Sequence, residues 1–178
     1  IFMFIAGTNF SLSYFAFRLK FGKIWRNEEF RYYLFFTLFF TFFIMALLIF
    51  TENLGIEKSF RDSLFQVVSI MTTTGYATAD YLLWIPFLTI ILFAIMFIGG
   101  SAGSTGGGIK IMRIVVLIKS SVAEFKRLLH THAVIPVRFN HKTVPPNIIN
   151  NVLAFIVLYI FIFVSGTIIM AAMGMDIE

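Results

Sequence analysis

The chain has 178 residues, 59% hydrophobic, 18% aromatic and only 13% charged, with a mean hydropathy of +0.91. A soluble domain carries about 25% charged residues, and 24 phenylalanines are more than one soluble core of this length can hide, so lipid must cover some of them. No cysteine is present, which excludes disulfides, cysteine-zinc sites and thiol catalysis. The formal charge of +5 raises nucleic acid as a partner, but its distribution argues against it. Opening at Ile1 inside an apolar run, with no charged n-region, the sequence reads as a piece of a longer protein and not as a signal peptide.

Residues 1–17 carry no charge, enough for most of a bilayer crossing, but Gly7-Thr8-Asn9 interrupts them, as at the inner end of a helix. Arg18, Lys20, Lys23, Arg26 and Arg31 follow, with Glu28 and Glu29 among them. Residues 32–51 are again uncharged and match the ~20 residues of a spanning helix; their density of phenylalanine shows no amphipathic face. In residues 52–80 Ser59 is the expected N-cap, with Asp62 three positions on, of a helix of about a dozen residues. Phe60, Leu64, Val67, Val68 and Met71 recur there at helical spacing. Such a helix is too short to span and reads as re-entrant, ending at the threonines.

Residues 81–109 carry no charge; Tyr81 and Trp84 suit an interfacial belt and Pro86 an early helical turn. Six glycines fall within residues 99–108. Each interior glycine costs about 1 kcal/mol against alanine, so a hydrophobic helix is expected to break near its inner end and resume over 109–129. Lys110, Arg113, Lys119, Lys126, Arg127, Arg138 and Lys142 follow, opposed by Glu124. His130-Thr131-His132 and Val144-Pro145-Pro146-Asn147 mark a loop before a last uncharged run, 148–175, closed by Asp176 and Glu178.

Twelve of the fourteen Lys and Arg thus lie in residues 18–31 and 110–142, while residues 52–80 and the C-terminal end are acidic. The positive-inside rule puts both basic segments in the cytoplasm and the Thr-Gly-Tyr stretch on the outer side of the cytoplasmic membrane. The basic surplus is a topology signal, with no nucleic-acid partner expected.

Met71-Thr72-Thr73-Thr74-Gly75-Tyr76-Ala77-Thr78 is polar and uncharged within this apolar setting. An extended strand after a re-entrant helix exposes carbonyls, which is tolerated at membrane depth only where they line water or ions. Rings of carbonyls replace the hydration oxygens of K+. Threonine adds a hydroxyl oxygen, Gly75 permits backbone angles that aim successive carbonyls one way, and Tyr76 is expected to wedge the strand from behind. The C-terminal end of the short helix adds a partial negative charge that favours a cation. The plain alternative is a helix C-cap followed by a turn.

Three readings compete for the glycine run. A phosphate loop is not matched, because Ile109 separates Gly108 from Lys110 and Met112 stands where a hydroxyl is needed. Close helix packing would use Gly99-x-x-x-Gly103 or Gly103-x-x-x-Gly107. The third is a flexible non-helical segment beneath the strand that occludes or opens a pore, with Lys110 placed to meet cytoplasmic acids or to hold the segment.

Ser69-Ile70-Met71-Thr72-Thr73-Thr74-Gly75-Tyr76-Ala77-Thr78, then Gly100-Ser101-Ala102-Gly103-Ser104-Thr105-Gly106-Gly107-Gly108-Ile109-Lys110, resembles the Trk/Ktr family of potassium uptake proteins. Ala6-Gly7-Thr8-Asn9-Phe10 also resembles the family's segment at the inner end of the preceding repeat. The resemblance implies an all-α membrane protein whose four tandem repeats, each helix, pore helix, filter loop and helix, surround a pseudo-fourfold pore. On that basis residues 1–30 are the inner end of one repeat and a cytoplasmic linker, 31–129 a complete repeat, 130–147 a cytoplasmic loop and 148–178 the first helix of the next repeat. The filter carry-over falls on Thr73, Thr74, Gly75 and Tyr76. The gating loop falls on Gly99, Gly100, Ser101, Gly103, Ser104, Thr105, Gly106, Gly107, Gly108 and Lys110. The resemblance further implies K+ as the transported ion and no other bound group. Its implied partners are the lipid bilayer, the remaining repeats, a second copy in a homodimer, and a cytosolic nucleotide-binding regulatory subunit.

One strand supplies a quarter of a potassium site, so conduction needs the other repeats or three further copies. An enzyme is not expected: no acid-base pair shares an uncharged span, and His130, His132 and His141 lie in the basic loop. The competing function is a membrane anchor or assembly subunit that uses its glycines for packing and has no transport of its own.

Overall fold

The computed structural model describes residues 1–52, 55–130, 135–140 and 142–174. These are mostly helical and divide into two compact units, residues 1–115 and 116–178. His132, His141, Asp176 and Glu178 lie outside the described residues, as does the end of the 148–175 run.

In the first unit the interruption at residues 7–9 is real and separates α1 (Phe2–Ala6) from α2 (Phe10–Phe17). Asn9 caps α2, its Oδ1 accepting from the Ser11 N–H at 2.8 Å. A short α3 (Phe21–Arg26) leads into α4 (Glu28–Glu52), whose 25 residues extend the expected 32–51 run at both ends. At ~1.5 Å per residue α4 is longer than the hydrocarbon core of a bilayer.

The phenylalanine-rich α4 does have a hidden face. Glu29, Tyr33, Thr37, Thr41, Ile44 and Leu48 are buried at spacings of three and four, while Phe35, Phe39, Phe42 and Phe43 on the other side are exposed. The expectation of no amphipathic face holds for hydrophobicity, and the hidden stripe escapes it because polar Glu29, Thr37 and Thr41 share it with Tyr33, Ile44 and Leu48. Lipid tails are as apolar as phenylalanine, so close packing and hydrogen bonding decide which side turns inward.

The partner of that stripe is α5 (Ile56–Met71). It is 16 residues long and starts a turn earlier than expected, with Gly55 at the N-cap and Ser59 buried inside the helix. Ser59 is therefore not the N-cap: Ile56, Glu57 and Lys58 are good enough helix residues to extend the helix back to the glycine. The buried face is Ser59, Asp62, Ser63, Gln66, Val67, Val68, Ser69 and Met71, whereas Phe60 is exposed. Only the last part of the expected apolar stripe is buried, because small hydroxyl residues let α5 sit close to α4. Thr37 and Met71 mark the contact, with the Thr37 hydroxyl 3.8 Å from the Met71 sulfur.

Residues 72–80 form no ladder and lead to a single 3-10 turn, Tyr81–Leu83, capped by Asp80 through the Leu82 N–H at 3.2 Å. The next helix, α6 (Pro86–Met96), starts on its proline and has only 11 residues. The break comes before the glycines, at Phe97. There the chain trades helix for a parallel bridge: Gly99 N–H donates to Ile109 O at 2.9 Å, and Ile109 N–H to Phe97 O at 3.0 Å. This neck closes residues 99–108 into a loop, after which α7 (Ile111–Leu129) begins.

In the second unit a small antiparallel hairpin, β1 (Arg138–Phe139) with β2 (Lys142–Thr143), lies within the stretch read as loop. Lys119 ties it to α7 by donating to Arg138 O at 3.0 Å. The last helix, α8 (Pro146–Ala172), has 27 residues, and Val152 alone of its described residues is buried. Helices α4 and α8 are long and apolar enough to cross a membrane.

Candidate functional site

The threonine strand grows directly out of the end of α5. Thr72 is the C-cap, its hydroxyl donating to Val68 O at 2.7 Å. The next N–H groups also turn back to the helix: Thr73 N–H to Ile70 O at 3.0 Å, Thr74 N–H to Ser69 O at 2.9 Å and Gly75 N–H to Ser69 O at 3.5 Å. Thr73 has φ 55° and Gly75 φ 79°, on either side of Thr74 with negative φ. Alternation of backbone hand turns successive N–H groups to one side and successive carbonyls to the other. Among the described residues, no hydrogen bond ends on the carbonyls of Thr73, Thr74 or Gly75.

The C-cap and the exposed carbonyls are thus one feature. Helix-end N–H bonds hold the strand from behind, and its oxygens are left free in front. The partial negative charge of the α5 terminus adds to them. A positive φ is unfavourable for threonine, so Thr73 carries backbone strain that its surroundings must hold. Two buried side chains of α5 supply that support. Ser69 donates from Oγ to Tyr76 O at 2.6 Å, and Gln66 from Nε2 to Ala79 O at 3.0 Å. Neither was singled out for this role in the sequence, since a serine and a glutamine inside a helix carry no local signal of what they reach. The Tyr76 ring is 70% exposed among the described residues.

The glycine loop lies against the base of this strand. Gly107 N–H donates to Thr73 Oγ1 at 2.9 Å, and a Cβ on Gly106 would lie 3.3 Å from Thr72 O. The loop is also seated on residues 6–10. Ser101 N–H donates to Gly7 O at 2.9 Å, Thr105 N–H to Ala6 O at 3.4 Å, and Phe10 N–H to Gly103 O at 3.3 Å. Gly7, Gly99 and Gly100 are needed for this approach. A Cβ on Gly7 would collide with the Tyr33 hydroxyl, one on Gly99 with Gly107 O, and one on Gly100 would stand 2.6 Å from Gly7 O. Gly103 and Gly108 take φ of 74° and 69°. Packing through glycine is therefore present, but not as the helix-on-helix motif, because residues 99–108 are not helical.

Lys110 holds the loop from its end. Its Nζ donates to Ser104 O at 3.4 Å, to Ser104 Oγ at 3.2 Å, and to Gly106 O. Of the two roles open to it in the sequence, it serves its own segment. Glu29 and Asn9 grip the loop as well: Ala102 N–H donates to Glu29 Oε1 at 2.5 Å, and Asn9 Nδ2 donates to Ala102 O at 2.6 Å. Glu29 looked like one more charge in a basic linker, and its partner lies 73 positions away. The glycine loop and the base of the strand at Thr73 thus meet at one junction within the first unit, built by the ends of α2, α4, α5 and α6, while Thr74, Gly75 and Tyr76 run on from it.

Two crossing-length apolar helices in the chain, and a polar strand with unbonded carbonyls in its first unit, suit a helical membrane protein. The chain belongs to the TrkH family of cation transport proteins, whose family model matches residues 1–177. It is 34% identical over 180 residues to the Trk system potassium uptake protein TrkH of Escherichia coli K12, covering 99% of this chain and 37% of that protein. The protein of the same name from Halomonas elongata is 33% identical over 176 residues, 98% of this chain and 36% of that one. The crystal structure of the potassium transporter TrkH from Vibrio parahaemolyticus superposes with a TM-score of 0.91 at 34% identity, covering 98% of this chain and 38% of that chain. The chain thus spans a little over a third of its relatives, and the Trk/Ktr resemblance seen in the motifs is borne out. The family description is one of transport and not of catalysis.

Proposed function

We propose that this chain supplies one repeat's share of the K+ pathway of a potassium uptake protein. The observation that carries the reading is the row of unbonded carbonyls at Thr73, Thr74 and Gly75, held by helix-end N–H bonds and by Ser69. Such a row offers K+ oxygens in place of water, and exposed carbonyls at membrane depth are tolerated where they line water or ions. On this reading α5 is the re-entrant pore helix, residues 31–129 form one repeat, and the basic segments face the cytoplasm. Residues 99–110, from Gly99 to Lys110, form the gate beneath the filter. The relatives named for potassium uptake support K+ as the ion.

The strand is a quarter of a site, so the whole protein would be completed by its other repeats, with a second copy and a nucleotide-binding regulatory subunit on the basic face. The test is Gly75→Val in the full-length protein. K+ uptake is expected to be lost with membrane insertion intact, and retained uptake would sink the filter reading. The second reading, an anchor with glycine-mediated packing, is favoured by the contacts of Gly7, Gly99 and Gly100. Deleting residues 106–108 separates the two, since an unchanged flux would support packing alone.

A further inference from the structure

We propose that Glu29 is the positioning residue that latches the glycine loop closed, with Asn9 as its counterpart. The inference rests on the gating reading of residues 99–110 and adds to it what holds the gate. Glu29 is 4% exposed, at the first turn of a membrane-crossing helix. A buried carboxylate there is costly to keep and needs a partner. Its Oε1 takes the N–H of Ala102 while Asn9 Nδ2 takes the carbonyl of the same residue, so donor and acceptor of one loop residue are both clamped. The clamp ties the loop to two elements already in contact through Tyr33, the start of α4 and the 7–9 break before α2.

The seat it enforces is not relaxed. The Ser101 hydroxyl, next to the clamped residue, is fully buried with no hydrogen-bond partner among the described residues. Lys110 restrains the far side by gripping Ser104 and Gly106, and its positive charge lies within electrostatic reach of Glu29. Two opposite charges thus hold the loop from its two sides. They add to the backbone bonds that Ser101 and Thr105 make to residues 6 and 7 and that Gly107 makes to Thr73.

The experiment is K+ flux through the full-length protein in proteoliposomes, together with the rate at which a cysteine introduced by Ala102→Cys in a cysteine-free background is labelled by a thiol reagent. Glu29→Ala is expected to raise both basal flux and labelling several-fold, and Glu29→Gln, which keeps an acceptor oxygen in place, to restore most of the parental values. Parental flux and labelling in Glu29→Ala would overturn the latch. Should Glu29→Ala fail to reach the membrane, Asn9→Ala, which removes the other half of the clamp, decides in the same terms: unchanged values overturn the proposal. Loss of residues 106–108 with no change in flux would instead sink the gating reading itself, so the two failures are distinguishable.

Discussion

The hydroxyl of Thr73 accepts a hydrogen bond from the backbone N–H of Gly107 at 2.9 Å, joining a candidate filter residue to a candidate gate residue 34 positions on. A side chain of the strand therefore reports directly on the loop beneath it.

Replacing Thr73 by valine keeps the shape and removes this bond. A neutral hydrogen bond is worth about 1 kcal/mol, roughly fivefold in an equilibrium. A cysteine introduced by Thr105→Cys should be labelled about five times faster in Thr73→Val, and at the parental rate in Thr73→Ser. Equal rates in both would show that the bond does not restrain the loop.

Ser69 is buried and donates to Tyr76 O at 2.6 Å. Ser69→Ala leaves that carbonyl without its partner, at a cost of about 1–3 kcal/mol. The strand should loosen, with a lower ratio of K+ to Na+ uptake and a lower Tm in detergent. A ratio unchanged from the parent would mean that other groups hold the strand.

Gly75 has φ 79°, and among the described residues nothing lies within 4 Å of where a Cβ would stand. Gly75→Ala is thus penalised by backbone strain alone, about 1–2 kcal/mol, and should insert into the membrane normally. Uptake should fall at least severalfold, because relief of the strain turns a carbonyl out of the row. Normal uptake would remove Gly75 from the filter.

Gly99 and Gly22 form a matched contrast. A Cβ on Gly99 meets the Gly107 carbonyl oxygen, and one on Gly22 meets nothing within 4 Å. Gly99→Ala should lower Tm and disturb flux, while Gly22→Ala, in α3, should be neutral or stabilising by up to about 1 kcal/mol. A tolerated Gly99→Ala would mean that the loop need not seat as closely as it does here.

Much of the fold was legible because lipid selects on composition. The uncharged runs at 32–51 and 148–175 became α4 and α8 with only their ends moved, and the glycines marked a real break. Less legible was which side of a helix turns inward. The α4 stripe from Tyr33 through Thr41, and the Ser59, Ser63 and Gln66 face of α5, are buried although phenylalanines stand beside them. Hydrophobicity does not rank faces when the solvent is itself apolar. The buried Ser59 was misjudged as a cap for a related reason, since its place depends on neighbours that periodicity does not name.

By itself, then, the sequence determined the kind of protein, the places where the chain crosses or breaks, and the position of the polar strand. Charge is excluded from hydrocarbon and a cluster of glycines breaks a helix, and both effects act locally along the chain. Only the tertiary structure decided what the strand and loop are tied to: Thr73 to Gly107, and Ala102 to Glu29 and Asn9. Those ties join residues 34, 73 and 93 positions apart, and a hydrogen bond across such distances exists only once packed helices have brought its ends together.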